Sequence, residues 1–358
     1  MDRSFIIYEL NQDMIFSLAN DETKNLKLWI ISAVKKNGAT LQYASPELKQ
    51  NKEVVMAAVQ QNGLALQFAP LLQSNKKIVM AAVKNYGLAL YFASDVLKQD
   101  KEVVMAAVSS KGISIQFAPM FQHDREVVMA AVKQNGQALA IVPTFQGDRE
   151  VVMAAVQTFG NALEFLPAFQ DDKEIVMAAV KQNGMALEFA SLALKNDKEV
   201  VMTAINQHGF SVAFASDDLK RDKEVAIAAA QNSGDSLSVS GDWDNDKDVV
   251  MAAVQQNGNS LYHASDALRA DVEIACAAVK SNPEAIHAVD DSLNRNENFI
   301  ECMRRYKIPP IKSELKGHVM NRQNFETFAP NLLNDDTRSV VNKYLGGKRT
   351  RRNRLNKK

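Results

Sequence analysis

The chain has 358 residues, 42 basic and 42 acidic side chains, 46% apolar residues and 7% aromatics. That apolar content excludes a disordered chain, and no stretch approaches the ~18 apolar residues that a bilayer-spanning helix needs. The zero net charge is uneven: seven Lys and Arg crowd the last eleven residues, leaving 35 basic against 42 acidic residues elsewhere. Such an acidic body lacks the basic surface of a nucleic-acid groove.

Residues 1–25 fit no repeat. Met14 to Leu18 is apolar enough to pack on a neighbour, and Asn20-Asp21 can cap the next helix, so an N-terminal cap is expected. Met1 to Leu10 lacks the long apolar run and cleavage site of a signal peptide. From residue 26 the chain repeats itself. Asn51-Lys52-Glu53-Val54-Val55-Met56-Ala57-Ala58-Val59-Gln60-Gln61-Asn62-Gly63 returns, barely altered, from Asp100, Asp124, Asp148, Asp172, Asp197 and Asp246. Looser copies begin at Leu26, Asn75, Asp222 and Asp271, always 24 or 25 residues apart. A fixed period of that length predicts a solenoid over residues 26–295, in which no copy can bury its apolar side alone.

Each copy reads the same way. The opening Asp or Asn is an N-cap, and the Glu two residues later favours the positive end of the helix dipole. The two Val, the second Ala and the last Val share one face of a helix of about ten residues. Glycine then ends the helix, and a left-handed C′ conformation is expected of it. A short segment such as Ala65 to Ala69 leads to Pro70, or to Ser94, Ser191, Ser216 or Ser265 at the same place, each suited to starting a new turn. The fold expected is all-α: an α-solenoid of one helix plus one or two short helical turns per copy, elongated and monomeric.

The copy from Asp222 lacks the usual Phe and Leu anchors and replaces valine by Ala226 and Ala230, so it should be the weakest. The copy from Asp271 ends its helix at Asn282-Pro283 instead of a glycine. Residues 296–345 read as a degenerate C-terminal helical cap, and 346–358 as a basic disordered tail.

The recurring Asp-Lys-Glu-Val-Val, Ala-Val, Asn-Gly, Ala-Leu and Phe-Ala-Ser/Pro pattern resembles the repeat family catalogued as domain of unknown function 4116 (DUF4116). The resemblance covers roughly residues 26–295. The family label implies no activity; its members occur in bacterial effectors, protists and large DNA viruses, which implies an effector-like or virus-encoded adaptor. The layout is also similar to the leucine-rich repeat variant, and that likeness implies a right-handed superhelix.

Several candidate sites have plainer readings. The methionine column, Met56 to Met251, lies beside the valine face and reads as packing more readily than as a binding surface. Asp242, Asp244, Asp246 and Asp248 open like a calcium loop, but Lys247 and Ala253 stand where that loop needs glycine and glutamate. The histidines His123, His208, His263, His287 and His318 have no metal-ligand spacing, and no nucleophile elbow or phosphate loop appears. No cofactor is called for, and no enzyme is expected. Cys276 and Cys302 form no CxxC pair, which suits a reducing compartment and suggests no disulfide framework.

The variable polar positions remain. One set precedes the Asn-Gly step, as in Gln60/Gln61, Lys84/Asn85 and Lys133/Gln134. The other lies between Leu and Phe: Gln67, Tyr91, Gln116, Glu164, Glu188 and Tyr262. A constant frame with changing polar residues is how solenoids present a binding face. The first reading is therefore a non-enzymatic scaffold for a protein partner. The second is a nucleic-acid- or chromatin-associated adaptor using Lys348, Arg349, Arg351, Arg352 and Arg354; that tail reads equally as a nuclear-import signal or a solubilising end. The third is an enzyme with a cryptic site in the C-terminal cap. The expected location is intracellular: cytoplasmic, nuclear, or delivered into a host cell.

Overall fold

Each copy from Asn51 onward opens on a side chain that closes the start of a helix. Asp100 accepts the backbone N–H groups of Glu102 and Val103 at 3.0 and 3.4 Å, and Asn51 does the same for Glu53 and Val54. The computed structural model describes residues 27–308. The N-terminal cap expected over 1–25, most of the C-terminal cap and the basic tail lie outside them.

Two compact units divide the chain, Met1–Ser216 and Asp217–Lys358. The first contains α1 (Lys27–Lys36), α2 (Lys52–Gln61), α3 (Lys76–Asn85), α4 (Lys101–Ser110), α5 (Arg125–Gln134), α6 (Arg149–Thr158), α7 (Lys173–Gln182) and α8 (Lys198–Gln207). The second contains α9 (Lys223–Asn232), α10 (Lys247–Gln256), α11 (Val272–Ser281) and α12 (Glu297–Arg305). The described residues contain no strand. Within each unit every helix packs on the next, and the short segments stack likewise, as an all-α repeat solenoid requires.

The buried face is the one the valine spacing predicts. Val54, Val55, Ala58 and Val59 of α2 are fully buried, and the matching four residues of α5 and α7 are too. Met56 and Ala57 sit half-buried at the edge of that face. Fully burying a valine side chain is worth roughly 1.5–3 kcal/mol, so the quartet in each copy supplies most of the drive to stack.

After the helix, one extended residue serves two elements. Asn62 (φ −143°, ψ 107°) donates its N–H to the Ala58 carbonyl, ending α2. Its side chain accepts the Leu64 N–H, opening a six-residue 3-10 helix, Gly63–Phe68. The left-handed glycine expected here is absent: among the described residues only Gly241 (φ +97°) and Lys307 have positive φ. Glycine is required for a different reason. A Cβ at Gly63 would overlap the Ala82 carbonyl oxygen of the next helix, and one at Gly234 would lie 2.6 Å from the Ala253 oxygen. The backbone of each copy rests directly on the helix of its successor.

Two kinds of turn complete the copy. Where proline leads, as at Pro70, Pro119, Pro143 and Pro167, a three-residue 3-10 turn forms. The glutamine three residues on then donates back to the carbonyl seven residues earlier, as Gln170 Nε2 does to Leu163 at 3.1 Å. Where serine leads, its N–H reaches the preceding copy: Ser94 donates to Gln73 O at 2.9 Å and Ser191 to Gln170 O at 2.7 Å. Proline has no N–H for that bond, which is why the two turns differ.

The cysteines depart from expectation. Cys276 of α11 and Cys302 of α12 are joined as a disulfide, with Cα atoms 6.1 Å apart. No CxxC motif announces the pair, because the partners come from successive copies.

Candidate interaction surface

The helix starts form a ladder of ion pairs between copies. Lys76, first residue of α3, reaches both Asp100 and Glu102 of α4, each at 2.7 Å. Lys101 repeats this with Asp124 and Glu126, Arg125 with Asp148 and Glu150, and Lys173 with Asp197 and Glu199. In the second unit Lys223 and Lys247 do the same. The capping aspartate thus uses one oxygen within its own helix and the other on its neighbour. The Lys76 hydrogen bond holds the Asp100 carboxyl below the usual aspartate range, against a burial effect that pushes it up. Asp124, Asp148 and Asp197 are held down in the same way by Lys101, Arg125 and Lys173. This ladder was missed from the sequence, although a cation right after the cap in copy after copy was its signal.

One half of the first variable set is also part of the frame. The residue just before the extended one accepts the glycine N–H of the previous copy. Gln61 Oε1 takes Gly38 N at 2.6 Å, Asn85 Oδ1 takes Gly63 N at 2.7 Å, and Gln182 Oε1 takes Gly160 N at 2.7 Å. Asn85 Nδ2 also donates to Gln60 O at 2.9 Å. These amides lock copies together, so they are unsuited to a partner. Their neighbours Gln60, Lys84 and Lys133 keep exposed side chains.

The second set is exposed throughout. Tyr91 is 58% exposed and Tyr262 53%, and Gln67, Gln116, Glu164 and Glu188 are exposed too. Tyr91 is also held in place: its ring lies edge-on to Phe92 at 5.0 Å and to Phe117 of the next copy at 5.2 Å, with Lys98 Nζ 6.0 Å from its centroid. Leu71, Val96 and Met120, from the turns of successive copies, are 66–77% exposed. Aromatic, amide and carboxylate side chains therefore stand outward from the stacked helical frame.

The remaining candidates are mostly absorbed by the frame. Asp246 Oδ1 caps α10, its other oxygen pairs with Lys223, and Asp248 pairs with Lys223 as well, so two of the four alternating aspartates are committed to the ladder. No group of three or more metal-ligating side chains occurs among the described residues. His287 lies 3.7 Å from Glu284. One open groove, lined by Lys52, Met56, Gln60, Asn75, Lys77 and Ile78, separates α2 from α3. No described helix is long and apolar enough to cross a membrane.

Fold and surface together define a helical repeat protein with a neighbour-to-neighbour frame and a variable outer column. The profile of Domain of unknown function (DUF4116) matches residues 30–73, 75–122, 112–146, 148–195, 172–214, 197–243 and 246–294 in tandem, and the chain belongs to that family. Searches of curated proteins and of solved structures return no match.

Proposed function

We propose that the chain is a non-enzymatic scaffold that binds another protein through the column between Leu and Phe. The observation that supports this is the division of labour between positions. Cap, cation, amide and glycine are each tied to a neighbouring copy, whereas Gln67, Tyr91, Gln116, Glu164, Glu188 and Tyr262 stand exposed and change from copy to copy. Tyrosine contributes a large contact area at small entropic cost and is favoured at hot spots. The Phe92 and Phe117 rings already fix Tyr91, which lowers the ordering cost of binding.

The test is affinity capture with the intact chain, identification of the bound protein by mass spectrometry, and measurement of its affinity. Tyr91→Ala and Tyr262→Ala should each weaken binding by roughly 1–3 kcal/mol with helicity unchanged. Deleting residues 348–358 should leave affinity nearly unchanged at physiological salt, where charges beyond ~8 Å are screened. If the deletion abolishes capture and the tyrosine changes do nothing, the tail-borne nucleic-acid or chromatin adaptor takes the scaffold's place.

A further inference from the structure

The contact between α11 and α12 lacks both of the ties, ion pair and glycine, that join most other copies. Each of α2 to α10 begins with lysine or arginine, but α11 begins with Val272, and the carboxylates it would meet are replaced by Asn296 and Asn298. The ion-pair rung is therefore missing there. Pro283 stands where glycine would accept close packing, so the glycine contact is missing too. What the junction has instead is sulfur. Cys276 occupies the helix position that carries methionine in most copies, and Cys302 lies one position further along the next helix. A one-period shift plus one residue gives the observed separation of 26, and the Cα atoms are 6.1 Å apart, within the range a disulfide spans. These are the only two cysteines of the chain.

The surroundings favour exchange. Cys276 is half-buried and Cys302 is 9% exposed, and both line an open groove with Lys280, Glu301, Arg305 and Tyr306. Lys280 lies one helical turn beyond Cys276, and its Nζ is 5.8 Å from the Tyr306 ring centroid, which keeps the cation at the groove. Cations beside a thiol favour the reactive thiolate.

We propose that Cys276 and Cys302 form a reversible redox clasp that fastens α12 to the last full copy in place of the missing ion pairs. The oxidant is a low-molecular-weight disulfide such as oxidised glutathione. The more exposed Cys276 thiolate attacks one of its sulfurs, forming a mixed disulfide and releasing one glutathione thiolate. The Cys302 thiolate then attacks Cys276 Sγ, closing the protein bond and releasing the second glutathione. Two protein thiols are oxidised, one small disulfide is reduced to two thiols, and the two protons given up by the protein thiols end on the two released glutathiones. Excess reduced glutathione runs both steps backwards and frees α12.

The experiment uses the full wild-type chain in glutathione buffers of graded ratio. Thiols are counted by alkylation and mass spectrometry, and hydrogen exchange is measured over 297–305. Both thiols should disappear together as the buffer becomes oxidising and return when it is reversed. Amides of α12 should exchange about tenfold or more slowly in the oxidised chain, since cross-linking removes open states. The Cys302→Ser chain should take up one glutathione at Cys276. Equal exchange of α12 in the two states, thiols that never pair, or no adduct on Cys302→Ser would each overturn the clasp.

Discussion

A Cβ added at Gly136 would overlap the Ala155 carbonyl oxygen of the next helix and come within 2.9 Å of Phe159 Cβ, whereas one added at Gly147 meets nothing within 4 Å. Gly136→Ala should therefore cost roughly 1–3 kcal/mol or more through overpacking, and Gly136→Asn should be no better. Gly147→Ala should be neutral, or stabilising by about 0.4–1 kcal/mol through the unfolded chain. Urea unfolding checks both; rescue by asparagine would instead indicate a left-handed cap. Asp148 allows a similar separation. Its Oδ1 accepts from Glu150 N and Val151 N, and its Oδ2 pairs with Arg125 at 3.0 Å. Asparagine already caps α2 and α3. Asp148→Asn should lose only the exposed ion pair, about 0.2–1 kcal/mol, whereas Asp148→Ala should lose the cap as well, a further ~1 kcal/mol. Equal losses would mean that the cap contributes nothing beyond the charge.

The copy from Asp222 should be the weakest element, for reasons that the structure sharpens. Ala226 and Ala230 are fully buried where most other copies carry valine. The hydroxyls of Ser236 and Ser240 are buried without a hydrogen-bond partner, and each such group costs about 1–3 kcal/mol. One compensation is present. Trp243 packs against the core, and its indole N–H donates to Lys220 O at 2.7 Å. That is the kind of turn carbonyl which Ser94 and Ser191 bond through their backbone in other copies. Gly241, at φ +97°, makes the bend preceding the ring. Trp243→Phe keeps most of the apolar area and removes the donor, so local opening should become easier by about 1–2 kcal/mol. Hydrogen exchange in the wild-type chain should be earliest, among described helix amides, over 225–245. Slowest exchange there would contradict the assignment.

For the molecule as a whole, the ion-pair ladder sets a pH window. Asp100, Asp124, Asp148 and Asp197 are held below the ordinary aspartate value of 3.8 by the cation of the preceding helix. Their contribution is complete above that value and is lost as pH falls through the lower folded-state value. Lys76, Lys101 and Lys173 are held above the ordinary lysine value of 10.5 by the same hydrogen bonds. Their share is complete below 10.5 and is lost as pH rises through the higher folded-state value. The ladder's contribution should therefore be level between about pH 4 and about pH 10.5 and fall on either side. Urea midpoints against pH measure it; a ladder contribution that grew on acidification below pH 4 would rule out this account. Because the pairs are exposed, high salt at pH 7 should remove part of the same stability.

What the sequence determined by itself was the part that depends on local pattern. Period, helix length, capping residue and the buried quartet Val54, Val55, Ala58 and Val59 were all legible, because each is a relation between residues of one copy. The exposed positions of Tyr91 and Tyr262, each within its own unit, were legible too, as the ones left free to vary. Tertiary structure decided whatever relates one copy to the next. The glycines looked like left-handed caps until the Ala82 and Ala155 carbonyls were seen lying against them. The amides Gln61, Asn85 and Gln182 looked like a free polar stripe until the glycine N–H groups of the preceding copies were found on them. Cys276 and Cys302 looked unrelated until a one-period shift placed them on facing helices. A repeat pattern names which positions are held constant, but only stacking shows which neighbouring atom holds them.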